Sequence, residues 1–356
     1  MKIHYLILLL ISSQINVSAQ VGSLDTSFGS NGYTISDISN NLLEDESKSV
    51  FVKNDNTILV TGYVINEQGN KDIALVHYDQ DGSIDTSFGT NGISTLDVNG
   101  NDDIALASVL QPNGKIITVG YTQNSNEDII IVKFNENGTL DNSFATNGIF
   151  TYDSGGNDKA VKVELLPNNT MYIGGVIEDD FGIIKLLENG TFDSSFGNSG
   201  ITTTSLGSVR DILRDMKIQE DGKILIAGEI RKMVEVDFDF TDPAVLRYNP
   251  NGTLDTTFSE DGIMDEPLDL FENNEEVFSV NLLNNGQIMV SGMTEIESGN
   301  GLSVIVLKKY NSDGTLDISY GSNGSFTIYY GPFESLIAYS ALVQQDDKIL
   351  IAGRYR

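Results

Sequence analysis

The chain of 356 residues contains no cysteine, no tryptophan, six prolines and two histidines. Without cysteine there is no disulfide framework and no lipid attachment at a processed N-terminal cysteine. A chain of this length has no need of such staples, because it can bury about 75% of its unfolded surface in its own core. The absence of tryptophan removes a favoured sugar-stacking side chain, although 14 tyrosines remain. Basic residues are scarce too: 21 Lys and Arg stand against 51 Asp and Glu, a formal charge of −30. That excess repels phosphate backbones and anionic membrane surfaces, so nucleic acid is not an expected partner. It favours solubility, divalent cations or a cationic partner. The plainest reading is a solvated acidic surface.

Long apolar runs are also missing. The longest, Tyr5 to Ser12, is too short to span a bilayer, which takes ~20 residues. It follows Lys2 and His4 and precedes small residues at Val17–Ala19. This order predicts a cleaved secretory signal over 1–19 and a mature chain over 20–356. The expected location is extracellular or on the outer cell surface, with no membrane insertion and a monomeric chain.

What the chain does have is repetition. "GSLDTSFGSNG" begins at Gly22, "GSIDTSFGTNG" at Gly82 and "GTLDNSFATNG" at Gly138. "GTFDSSFGNSG" begins at Gly190, "GTLDTTFSEDG" at Gly252 and "GTLDISYGSNG" at Gly314. A second motif recurs in phase with the first, as in "LQPNGKIITVG" ending at Gly120 and "IQEDGKILIAG" ending at Gly228. Two motifs, each present six times, define units over about 22–81, 82–137, 138–189, 190–251, 252–313 and 314–356.

Within a unit the pattern is all strand. "GIFTYD" is short and rich in β-branched and aromatic residues, "AVKVELL" alternates, and "TMYIGG" and "FGIIKLL" follow after tight turns. Asn-Gly turns suit hairpins because both central residues need positive φ. No segment of the mature chain has helical periodicity. Four antiparallel strands per unit predict an all-β fold, a β-propeller of four-stranded blades. A β-solenoid-like repeat array is the alternative. The sixth unit stops at "KILIAGRYR", after its third strand, and the mature N-terminus supplies no spare strand. The sequence therefore reads as part of a longer protein.

The pairing of "NENGTLDNSFATNGI" with "LQPNGKIITVG" resembles the delta-60 repeat family of bacterial exported proteins, over Gly22 to Gly353. The resemblance implies a propeller-like β structure and a secreted or surface location. It implies no particular activity. Many relatives carry a C-terminal sorting domain, and none is visible here.

The motif places Asp25, Asp85, Asp141, Asp193, Asp255 and Asp317 ahead of Phe28, Phe88, Phe144, Phe196, Phe258 and Tyr320. Six copies argue for structure: an Asx turn, then a buried ring. The motif then reads as a joint between blades. Catalysis would need one asymmetric site. Asp79, Asp81 and Asp85 in "DQDGSID" offer oxygen ligands, but their spacing does not match an EF-hand. Asp102, Asp103 and Asp158 lie in acidic Gly/Asn loops that could suit Ca²⁺; solvated loops are the favoured reading. "NGT" at Asn137, Asn189 and Asn251 matches a glycosylation acceptor that the turn already explains. His77 reads as a strand residue rather than a base.

The fourth unit departs most. "EIRKMVEVDFDFTDP" at 229–243 expands one loop, with Asp237 and Asp239 on one face of an extended stretch beside Arg231 and Lys232. This is the candidate partner site. No catalytic or cofactor motif appears, and no cofactor is expected apart from Ca²⁺ as a candidate. The function read from the sequence is a binding or interaction scaffold for a protein or glycan ligand, not an enzyme. The alternatives are a propeller-type polysaccharide hydrolase and a Ca²⁺-stabilised structural adhesin element.

Overall fold

The computed structural model describes residues 7–11, 24–38, 45–207, 209–235, 238–268, 274–295, 302–329 and 335–355. They are all strand, turn and loop, with no helix among the described residues. The N-terminal strand is β1 (Ile7–Ile11). Five four-stranded antiparallel sheets follow in chain order. The first is β2 (Glu46–Val52), β3 (Ile58–Ile65), β4 (Lys71–Tyr78) and β5 (Ile93–Leu96). The second is β6 (Asp103–Leu110), β7 (Ile116–Gln123), β8 (Glu127–Phe134) and β9 (Ile149–Tyr152). The third is β10 (Lys159–Leu165), β11 (Met171–Ile177), β12 (Asp180–Leu186) and β13 (Ile201–Thr204). The fourth is β14 (Arg210–Ile218), β15 (Ile224–Glu235), β16 (Phe238–Tyr248) and β17 (Ile263–Met264). The fifth is β18 (Glu275–Leu282), β19 (Ile288–Glu295), β20 (Ser303–Tyr310) and β21 (Ser325–Ile328). A sixth sheet pairs β22 (Leu336–Val343) with β23 (Ile349–Tyr355), and β1 lies antiparallel to β23.

This topology shifts the phase expected from the sequence. The short strand closes a sheet rather than opening one: β5 pairs with β4, and β9 with β8. The Asp-Phe motif therefore connects the third and fourth strands of one sheet, and the acidic loops connect successive sheets. The reason is local. After the motif turn, the short strand folds straight back on the strand it has just left. The sixth sheet also differs from expectation, because the apolar Ile7–Ile11 segment supplies a third strand along β23.

The chain divides into two compact units, one over Ala19–Glu178 and Ile183–Asp193, the other over Met1–Ser18, Asp179–Gly182 and Ser194–Arg356. In the first, the face of the first sheet packs on that of the second through Leu59, Ile73, Leu75, Ile116, Ile130 and Val132. In the second, Leu225 and Val245 meet Val277, Val290 and Val306, and Met289 and Leu307 meet Ala338 and Ile351. Central strands are apolar on both sides, so they read as near-continuous runs such as "DIIIVKF". Each such Ile or Leu contributes roughly 1.5–3 kcal/mol on burial.

The second motif ends in glycine for a steric reason. The first strand of each sheet carries a β-bulge, as between Ala105 and Ala107 or Leu213 and Asp215. The bulge pushes a carbonyl onto the facing residue of the second strand. A Cβ on Gly120 would overlap the Ile104 oxygen, and one on Gly228 the Ile212 oxygen. Only glycine admits that approach.

Candidate functional site

The motif occupies one end of each sheet. Its Asp accepts, through Oδ1, from the backbone N–H and hydroxyl of the residue two places on. Asp85 takes Ser87 at 2.9 and 2.7 Å, Asp141 takes Ser143 at 3.2 and 2.6 Å, and Asp255 takes Thr257 at 3.1 and 2.7 Å. Asp25 and Asp317 do the same with Ser27 and Ser319.

The other oxygen meets a basic residue that sequence reading missed. His77 Nδ1 lies 2.8 Å from Asp85, Lys185 Nζ 3.1 Å from Asp193, Arg247 Nε 2.7 Å from Asp255 and Lys309 Nζ 3.5 Å from Asp317. In the second sheet Lys133 lies 3.8 Å from Asp141, which also takes Lys115 at 2.8 Å. Each of these five residues stands eight places before its Asp on the third strand, so the fixed spacing was the available signal. The Asp N–H bonds back to the carbonyl of that same residue in all five sheets. His77 thus takes the place that Lys or Arg takes elsewhere.

The motif ring completes the arrangement. Phe88, Phe144, Phe196 and Phe258 are buried, and Phe28 and Tyr320 half-buried. Arg247 lies 4.6 Å over the Phe258 ring, Lys133 5.7 Å over Phe144, and His77 stacks on Phe88 at 5.4 Å. Each Phe from Phe28 to Phe258 also abuts the glycine that opens the next motif copy, from Gly82 to Gly314. A backbone bond ties the same copies, as from Gly89 N–H to Asn137 O at 2.9 Å. The motif therefore joins neighbouring sheets through space while staying within one sheet along the chain.

These contacts depress the carboxylates. The Ser87 hydroxyl bond, then the Ser87 N–H and His77, hold Asp85 down at about 2. Burial pushes Asp141 up, but Lys115 and Ser143 outweigh it and leave it at about 2. Burial likewise opposes the Thr257, Lys223 and Arg247 contacts of Asp255, which finishes well below the usual carboxylate range.

The opposite end carries the acidic loops. At the start of each of the five four-stranded sheets a carboxylate, half-buried at Asp45 and buried in the others, accepts from a backbone N–H several residues upstream in the incoming loop. Asp45 takes Ile38, Asp103 takes Val98, Asp158 takes Ser154, Asp211 takes Leu206 and Glu275 takes Leu268. These are clasps within the loops that lead into each sheet, and among them Asp211 lay in no stretch that the sequence marked as an acidic loop. Burial, with Asp97 and Asp72 nearby, raises Asp103 to about 6 against the Val98 N–H bond and the neighbouring Thr122 hydroxyl.

The candidate cation ligands are not brought together as predicted. Asp81 accepts from Ser83 and Asp85 from Ser87, in separate turns, and Asp79 begins the Asp79–Gly82 turn. Asp102 accepts from the Lys71 N–H at 2.9 Å. Among the described residues, one group could share an ion: Asp128, Asp153 and Asp158. Of these the sequence had offered only Asp158.

The expanded loop of the fourth unit is a lengthened β15–β16 hairpin, with Arg231 opposite Thr241 and Lys232 opposite Phe240. Asp239 lies opposite Met233 on its strand; the side chains of Lys232 and Asp239, and all of Asp237, lie outside the described residues. The same sheet holds an ion pair absent from its siblings. Arg214 forks onto Glu229, with Nε at 3.0 and 3.1 Å and Nη2 at 3.0 Å. Burial raises Glu229 to about 7, against the pull of Arg214.

Six antiparallel sheets built from one repeated unit, packed face to face within each compact unit, define an all-β protein of the propeller type. Residues 53–88, 111–144, 166–196 and 219–258 match a family described as "Domain of unknown function (DUF5122) beta-propeller". That match carries the propeller-repeat character; no curated protein matches the chain by sequence. Among solved structures, the chain is similar to a PL25 polysaccharide lyase, an ulvan lyase, at 10% identity and TM-score 0.49, covering 85% of this chain and 75% of that one. It is similar to Drosophila Plexin A, solved with Semaphorin 1b, at 13% identity and TM-score 0.41, covering 78% and 56%. A GH43 endo-arabinanase from Bacillus licheniformis matches at 11% identity and TM-score 0.38, covering 75% and 94%.

Proposed function

We propose that the chain is a secreted or cell-surface binding module, in which the repeated motif is scaffold and the opposite, loop-bearing end does the recognising. One observation carries this reading. The motif Asp accepts from its own turn at Asp25, Asp85, Asp141, Asp255 and Asp317, and from Asp85 to Asp317 it also meets a basic residue, so the motif carboxylates are engaged within the chain. The loops at the other end vary from unit to unit, and loops on a rigid scaffold are where binding residues concentrate. Their acidic character suits a cationic protein surface or a cation-bridged glycan.

The test uses the full chain on an array of purified glycans and against basic proteins of known sequence, at low and high salt. Binding that weakens with salt and is lost on neutralising loop carboxylates such as Asp97 and Asp102 supports the reading. Binding lost on changing exposed motif residues instead would overturn it. Turnover of any polysaccharide would replace it with an enzymatic reading. Intact-mass analysis of the exported protein tests the location, with an N-terminus at Gln20 expected, which would remove β1 from its place beside β23 in the mature chain.

A further inference from the structure

At the loop end of the second sheet three carboxylates converge. Asp128 is the second residue of β8, Asp153 follows β9 directly, and Asp158 precedes β10. Each contributes an oxygen, and these oxygens lie within 4.8 Å of one another. That span matches two oxygens on opposite sides of a Ca²⁺ ion at ~2.3–2.6 Å each.

The hydrogen bonds around the group leave it short of positive charge. Asp158 accepts from Ser154 N–H and Oγ and from Glu178 N–H at 3.1 Å. Asp153 accepts from Gly155 N–H at 2.7 Å. Asp128 takes only the Asn124 amide, through Oδ2. Its Oδ1 is buried with no hydrogen-bond partner, in a residue only 6% exposed. Among the described residues no Lys, Arg or His forms an ion pair with any of the three. The nearest lysine in sequence, Lys159, is engaged by Glu127 at 2.8 Å and lies 4.2 Å over the Tyr121 ring.

An orphaned carboxylate oxygen held out of water, beside two more carboxylates, has no neutralising partner in the chain. Leaving a buried acceptor unmade is costly, and more so when it is charged. A hard divalent cation removes both the orphan and the repulsion. We infer that Asp128, Asp153 and Asp158 form a divalent-cation site of the Ca²⁺ class, with Ser154 Oγ beside it. The donors are all oxygen, which excludes a thiolate- or imidazole-selecting metal. The site pins the β7–β8 hairpin to the connection between the second and third sheets. It stands independently of the ligand proposed for the loop end.

The test is calorimetric titration of Ca²⁺, and of Mg²⁺ in parallel, into chelator-treated full chain, with Tb³⁺ luminescence excited through tyrosine as a second readout. Tyr152, adjacent to Asp153, is the sensitiser, and no tryptophan competes with it. The expected result is one site, a raised thermal midpoint with Ca²⁺, and an affinity lowered about tenfold or more by Asp153→Asn. Asp153 is exposed, so that variant should fold as the parent does. Asp128→Asn should abolish the Tb³⁺ signal, and the exposed Asp346→Asn should leave it intact. Absence of binding at millimolar Ca²⁺ would overturn the inference. So would binding unaffected by Asp153→Asn and Asp128→Asn, which would mark diffuse attraction to an acidic chain.

Discussion

Arg247 donates from Nε to Asp255 Oδ2 at 2.7 Å, and each side chain is only 5% exposed. The same guanidinium covers the Phe258 ring, reaches Thr257 Oγ1 at 3.3 Å and donates to the Ser312 carbonyl, in the turn just before the next motif copy. One side chain thus links a turn, a core ring and the neighbouring sheet. Asp255→Ala would strand a buried guanidinium, so a loss of about 3–5 kcal/mol is expected in urea unfolding.

Phe144→Ala removes a fully buried ring from the equivalent joint in the second sheet. A loss of ~3–5 kcal/mol is expected, with any ligand binding at the loop end retained by the folded fraction. A drop in binding without a drop in stability would contradict the structural assignment.

Gly120→Ala should be unusually costly for so small a change. The added methyl would collide with the Ile104 carbonyl at the bulge, and backbone cannot rotate away. About 3 kcal/mol is expected, the upper part of the range for overpacking. Far-ultraviolet circular dichroism through a urea series reads it.

Stability should respond to pH in two windows of opposite sign. Asp85 and Asp141 lie at about 2 when folded, below their unfolded values, so their contribution is present above pH ~4 and is lost as pH falls towards 2. Asp103 is raised to about 6. Its contribution is full below pH ~4 and is lost as pH rises through 6. Asp103→Asn keeps an acceptor for the Val98 N–H but carries no charge. It should stabilise the chain by about 1–2 kcal/mol near pH 8 and change little near pH 4.5. Equal effects at both pH values would contradict the assignment.

Much of the fold was legible because two motifs recurred in phase. Strand identity followed from β-branched runs such as "KIITVG" and from Asn-Gly turns at fixed offsets. Sheet phase did not follow, because "GIFTYD" can pair with the strand before it or the strand after it, and the choice is made in three dimensions. The basic residue eight places before five of the six motif Asp residues was legible in principle, but His77, Lys133 and Arg247 do not look alike as letters. The clasps at Asp103, Asp158 and Glu275 were hidden by their setting: in an acidic loop, a buried carboxylate and a solvated one read the same. Asp128 sat inside an apolar strand pattern, and only folding brings it to Asp153 and Asp158.

The central claim is that the repeated motif is a structural joint, and a double-mutant cycle on Arg247 and Asp255 tests it most directly. Arg247→Met, Asp255→Leu and the double variant would be compared by urea unfolding. The account predicts that each single change is strongly destabilising and that the pair is coupled by about 2 kcal/mol or more, the double variant being far milder than the sum. Additive effects near zero on stability, with loss of ligand binding in either single variant, would contradict it and return the motif to the list of functional sites.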